Sequence, residues 1–131
     1  MKGMLQHIQY NAAEESTTQF YRDFAAFFEM ETVYDGGTMI GVTDGAIAFW
    51  VLPAFDDHKE SIYDRDGAGL NHIGIKVENA ADVNTFISDF LQPHGIAPAF
   101  DTPKQREDFG PTYYQVMFVD PQGLAIEVFC A

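Results

Sequence analysis

The sequence predicts an α+β fold made of two βαβββ modules, and three observations carry that reading. Leu-x-His-Ile occurs twice, in LQHIQY (5–10) and in LNHIGIKV (70–77), with the two histidines 65 residues apart. Each copy alternates apolar and polar residues with a period of two, the signature of a strand with one face buried. After each copy comes a run of apolar residues at helical spacing, and FYRDF (20–24) echoes FISDF (86–90). Each such run is followed by three short β-prone stretches, so strand, helix and three strands recur in the same order.

In the first module the strand at 5–10 turns Ile8 and Tyr10 to the core and Leu5, His7 and Gln9 to the other face. Phe20, Tyr21, Phe24, Phe27 and Phe28 then form one stripe of an amphipathic helix within 11–30. Asn11 with Glu14 reads as a capping pair, and Ser16 offers a later start. Thr32–Tyr34 and Thr38–Val42 are strands joined by Asp-Gly-Gly, and Thr43-Asp44-Gly45 turns the chain into AIAFWVL (46–52), which Pro53 stops. Phe49 and Trp50 are expected on opposite faces, Phe49 lining the interior and Trp50 under the helix. Module one spans about 1–55, and the polar, acidic stretch at about 56–69 reads as a linker and loop holding a solvated His58.

The second module, about 70–131, repeats the order. Asn79 and Asp82 open a helix with Val83, Phe86, Ile87, Phe90 and Leu91 on its apolar side, ended by Pro93 and Gly95. His94 sits at that helix's C-terminal end. Ile96–Phe100 is expected as a short strand and Asp101–Pro111 as a charged loop with Lys104 and Arg106. Thr112–Val119, the Asp120-Pro-Gln-Gly turn and Leu124–Phe129 complete the chain. Two curved sheets side by side, with helices on the outer face, form a cup. One single domain, 1–131, is the expected organisation.

Composition excludes several classes. The chain has 20 Asp+Glu against 7 Lys+Arg, a formal net charge of −13, and no cluster of basic residues to hold phosphates. Nucleic acid and anionic membrane surfaces are therefore excluded as partners. No apolar run approaches the ~20 residues of a membrane span. MKGMLQHIQYN lacks the apolar core of a signal peptide, and the lone Cys130 has no partner for a disulfide, so a cytoplasmic location is expected.

By parity, His7 and His72 face the inside of the cup, as do Ala125, Glu127 and Phe129 of the last strand. A carboxylate between Ile126 and Val128 is unusual, because glutamate avoids buried strands unless paired or bound to a metal. His7, His72 and Glu127 together form a donor set suited to a divalent ion with open positions: Fe, Zn, Mn, Ni or Co. On the strand at 112–119, Tyr113, Gln115 and Met117 share one face, and Tyr114, Val116 and Phe118 form the core face. Tyr113 and Gln115 are thus candidate substrate contacts, with Tyr113 able to donate a hydrogen bond or a proton. Lys76 reads as a rim lysine.

These residues also carry a resemblance. LQHIQY, FYRDF, LNHIGIKV and FVDPQGLAIEVF resemble the vicinal oxygen chelate superfamily, which includes glyoxalase I, the bleomycin and fosfomycin resistance proteins and the extradiol dioxygenases. The likeness runs from about residue 4 to residue 129, and the Asp-Pro-x-Gly turn before a strand carrying a ligand Glu is its most specific piece. It implies paired βαβββ modules, a homodimer, and His7, His72 and Glu127 as metal ligands. It further implies a metal-dependent enzyme (a lyase, isomerase, thiol transferase or dioxygenase) that chelates a small substrate through two neighbouring oxygens; Glu127 and, from the strand parity above, Tyr113 are the candidate catalytic groups. Aligning Asp44-Gly45 with Gln122-Gly123 puts Phe49 opposite Glu127, so the second carboxylate of glyoxalase I is missing and Phe49 becomes a substrate contact. The alternative is a metal-free binding protein resembling the bleomycin resistance proteins, with Phe49 and Tyr113 stacking on a flat ligand.

Overall fold

A computed structural model describes residues 1–60 and 63–131; residues 61 and 62, within the expected linker, lie outside the described residues. The chain forms two compact units, Met1–Ser61 and Ile62–Ala131. Each unit is one βαβββ module with an open, mixed, four-stranded sheet. The first contains β1 (His7–Ala12), α1 (Glu15–Phe27), β2 (Glu31–Asp35), β3 (Ile40–Thr43) and β4 (Ala48–Pro53). The second contains β5 (His72–Lys76), α2 (Ala80–Phe86), β6 (Ala99–Gln105), β7 (Tyr114–Val119) and β8 (Ala125–Cys130). A π-helical turn, Ile87–Leu91, extends α2, and Asp56–His58 forms a single 3-10 turn.

The strand orders are β1-β4-β3-β2 and β5-β8-β7-β6. In both units the first strand lies parallel to the last, and the remaining pairs are antiparallel. This shared order is what the sequence repeat encodes, because each first strand needs a crossover helix before it can run parallel to its neighbour.

In the first unit α1 packs Phe20, Tyr21 and Phe24 against Ala12, Ile40, Val42 and Val51, all buried. The expected Asn11–Glu14 cap does not form. Asn11 instead pairs with Leu52 in the parallel ladder, and the helix starts later, from Glu14, with no side-chain cap. Tyr10 meets Tyr21 of the helix edge-on at 5.7 Å, as its parity requires, whereas Ile8 is exposed.

In the second unit the Asn79–Asp82 capping box forms in full: Asn79 accepts from the amides of Ala81 and Asp82, and Asp82 returns a bond to the Asn79 amide. Val83, Phe86, Phe90 and Leu91 are buried with Val116, Phe118, Ile126 and Val128. The expected strand at 96–100 begins later and continues through part of the expected loop, as Ala99–Gln105. A register shift between Ala99 and Lys104, with Phe100 and Asp101 both at φ 56°, makes room for Pro103, which has no N–H to give. As the edge of its sheet, this strand tolerates the loss.

Candidate functional site

The two register patterns place the site. His7 pairs with Ala48 in one ladder and His72 with Ala125 in the other, so the two histidines occupy equivalent positions. Two residues beyond each alanine, on the same face, stand Trp50 and Glu127. The repeat-equivalent of Glu127 is therefore Trp50, and the expected match with Phe49 is one residue out. Two residues separate Gly45 from Ala48, but only one separates Gly123 from Ala125, so aligning on the turns slides the strands by one. Phe49 accordingly faces the helix, 5.1 Å from the ring of Tyr21 and 6.3 Å from that of Tyr10. Its expected role as a substrate contact is corrected: it is part of the aromatic packing under α1. Trp50, expected under the helix, lies on the other face across Gly41 and against Tyr34. An aromatic still stands where a second carboxylate would be.

In the second unit Glu127 is buried, at 6% exposure, and it is held from both sides. His72 Nε2 lies 3.2 Å from its Oε2, and the Tyr113 hydroxyl donates to its Oε1 at 2.9 Å. Beneath the carboxylate sits Gly74, where a Cβ would come within 3.6 Å of Oε2 and 3.3 Å of the Phe129 ring. The Tyr113 ring stacks on Phe129 at 5.0 Å.

His72 Nδ1 is 2.6 Å from Asn71 Oδ1. An amide oxygen only accepts, so Nδ1 donates to Asn71 and Nε2 is the ring nitrogen presented to Glu127. The first unit repeats this device: His7 Nδ1 is 2.6 Å from Gln6 Oε1. The amide before each histidine is thus a second part of the repeat, legible in LQHI and LNHI.

A cavity of about 500 Å³ opens over this group, lined by Arg65, His72, Arg106, Phe109, Tyr113, Gln115, Met117 and Glu127. That volume lies within the range of small-molecule sites. Of the expected site residues, His72, Glu127, Tyr113 and Gln115 meet here, and His7 lies on β1 of the first unit. Among the described residues, no three His, Cys, Asp or Glu side chains are grouped to hold a metal ion. Arg65 and Phe109 were not foreseen, since both come from irregular segments whose side-chain direction no periodicity specifies.

Burial raises the Tyr113 hydroxyl, with its bond to Glu127 and that carboxylate's charge adding to the effect, up to about 12. Tyr113 therefore keeps its proton at neutral pH and acts as a donor. Ultraviolet titration of the wild type minus Tyr113→Phe should show one phenol ionising near 12 rather than at its ordinary value of about 10. Between those values the unfolded chain gives up this proton while the folded chain retains it, so stability falls as pH rises from about 10 to 12. A Tyr113 that titrates at about 10 would mean the bond to Glu127 is absent.

No family profile and no curated protein matches the chain by sequence. Solved structures do match. A glyoxalase candidate from Bacillus halodurans superposes with a TM-score of 0.84 at 19% identity, covering 99% of this chain and 97% of that one. The fold is that of the vicinal oxygen chelate proteins. The lactoylglutathione lyase of Agrobacterium tumefaciens matches with a TM-score of 0.64 and 19% identity over 99% and 95% of the two chains. A fosfomycin resistance protein from Mesorhizobium loti matches at 0.65 and 18% over 100% and 93%. At these identities it is the vicinal oxygen chelate architecture that is shared, and the chemistry must be argued from the side chains. Among the described residues, no helix is long and apolar enough to cross a membrane.

Proposed function

We propose that the chain is a metal-dependent enzyme of the glyoxalase/dioxygenase type, acting on a small molecule that presents two neighbouring oxygens. The observation that carries this is the pairing of His72 Nε2 with Glu127 Oε2 at 3.2 Å, with Nδ1 tied back to Asn71. Two donors each ~2.0–2.2 Å from one ion stand roughly 3.0–3.4 Å apart, so this pair fits two positions of a coordination sphere. The Asn71 and Tyr113 bonds are the outer contacts that hold ligand groups in place. His7, presented in the same way by Gln6, is the proposed third ligand, from its own chain or from a second copy in a homodimer.

A bound divalent ion would supply Lewis acidity to the two substrate oxygens. The chain's own residues do the rest. Tyr113 holds Glu127 in orientation and offers a proton, while Gln115 and Met117 form the buried wall of the pocket and Phe109 covers it with an apolar rim. Without a second carboxylate at position 50, the proton relay of a glyoxalase I is not expected.

Elemental analysis tests the reading. Protein purified without chelator, then offered Fe(II), Mn(II), Ni(II) or Zn(II), should retain about one ion per chain. Glu127→Ala should weaken retention by more than the roughly 10–100-fold that loss of an outer partner costs, and His58→Ala should change nothing. Absence of any ion from the native protein, or equal retention by Glu127→Ala, would replace the enzyme with a metal-free small-molecule binder.

A further inference from the structure

The cavity holds a charge that the proposed chemistry does not use. The chain has three arginines, and two of them are committed to carboxylates. Arg22 grips Asp35 through Nε and Nη2, both at 2.8 Å, and Arg106 grips Asp108 through Nε at 2.9 Å and Nη2 at 2.7 Å. Arg65 has no carboxylate partner among the described residues, although Asp64 and Asp66 flank it and acids outnumber bases 20 to 7. Its Nε is buried and has no acceptor among the described residues. The guanidinium lies 4.0 Å over the Phe100 ring, and the Asn71 side chain holds the backbone of the same residue by donating to the Arg65 carbonyl at 2.7 Å.

An uncompensated arginine lining a pocket in a strongly acidic protein repels cations and leaves a position for an anion. Charge count limits that anion. Glu127 is negative within the same cavity, and Arg106 is already balanced by Asp108. A dianion such as a phosphate ester would face those carboxylates with one free cation, whereas a carboxylate matches the single guanidinium. The same cavity is lined by aromatic rings: Tyr113, backed by Phe129, and Phe109, whose ring is tilted 58° to that of Tyr113 with 5.3 Å between centroids. We infer that the natural ligand is a small carboxylate with a planar apolar body, its carboxylate held at Arg65 and its body against Phe109 and Tyr113. This names the substrate class of the site proposed above and rests on that cavity being the substrate site, but not on the presence of a metal.

Chelator-treated protein titrated with benzoate, with neutral benzamide as the isosteric comparison, tests the inference by calorimetry or by NMR shifts. Benzoate should bind saturably and roughly 10- to 100-fold tighter than benzamide, the factor a hydrogen bond to a charged group supplies. Arg65→Gln should erase that difference, Arg65→Lys should restore part of it, and Arg22→Gln should leave it intact. Phenyl phosphate should bind more weakly than benzoate. Equal binding of benzoate and benzamide, no saturable benzoate binding, or full discrimination retained in Arg65→Gln would overturn the inference. Because the titration is done without metal, its failure is separate from failure of the metal reading: benzoate binding by a protein that retains no ion would leave the carboxylate site standing alone.

Discussion

Phe86→Ala is expected to destabilise the second unit by about 3–5 kcal/mol, the cost of truncating a large aromatic in a core that cannot collapse around the gap. Phe86 is fully buried on α2, stacked on Phe90 at 5.2 Å and set against Phe118 of β7 at 5.5 Å. Because β7 carries Gln115 and Met117 on its other face, loosening this packing also disturbs the wall of the cavity. Hydrogen exchange at the amides of Phe118 and Ile126 should accelerate in step with the loss of stability, which urea unfolding measures independently. Phe55→Ala, at a ring that is 82% exposed, should change stability by no more than about 0.5 kcal/mol. A Phe86→Ala protein with unchanged protection at those amides would show that α2 does not hold the sheet.

The parts of the fold that sequence reveals are those with a strong period or a repeated segment. Both first strands, both helices, the Asn79 capping box and the last strand follow from period-two alternation, the FYRDF/FISDF echo and cap chemistry, all local properties. Where tertiary pairing decides, local signals fail. Asn11 is a good cap residue, but the parallel ladder to Leu52 takes it into β1. Asp101–Gln105 is polar and contains proline, yet it lies at a sheet edge where antiparallel pairing with β7 resumes after a bulge.

The site shows the same division. His72, Glu127, Tyr113 and Gln115 were legible because strand parity assigns each of them a face, and one shared face brings them to one cavity. The equivalence of Phe49 and Glu127 failed because it was counted from turns, whose lengths vary, rather than from the ladder, whose register does not. Arg65 was invisible in an acidic stretch of loop; its significance lies in having no carboxylate partner among the described residues, which is a property of space and not of order along the chain.

Asp120→Ala should cost about 2–4 kcal/mol and weaken ligand binding at Glu127, linking the most specific motif of the sequence to the site it positions. Asp120 is 3% exposed, and its Oδ1 accepts from the amides of Gln122 and Leu124, both at 2.8 Å. Its own amide donates to the Leu124 carbonyl, and its carbonyl accepts from Gly123, whose φ of +96° suits glycine alone. The turn is thereby closed on every side, and β8 begins one residue beyond Leu124. Removing the carboxylate strands two N–H groups, one of them buried, at the point that sets the register of β8. A slip of one residue there would carry Glu127 from the cavity to the helix face. Asp120→Asn keeps an acceptor oxygen at the same place without the charge, so it should recover most of the stability and the binding. Thermal melts and metal or benzoate titration of both variants separate the possibilities. If Asp120→Ala melts with the wild type, or Asp120→Asn is as impaired as Asp120→Ala, then hydrogen bonding at this turn is not what holds Glu127 in register.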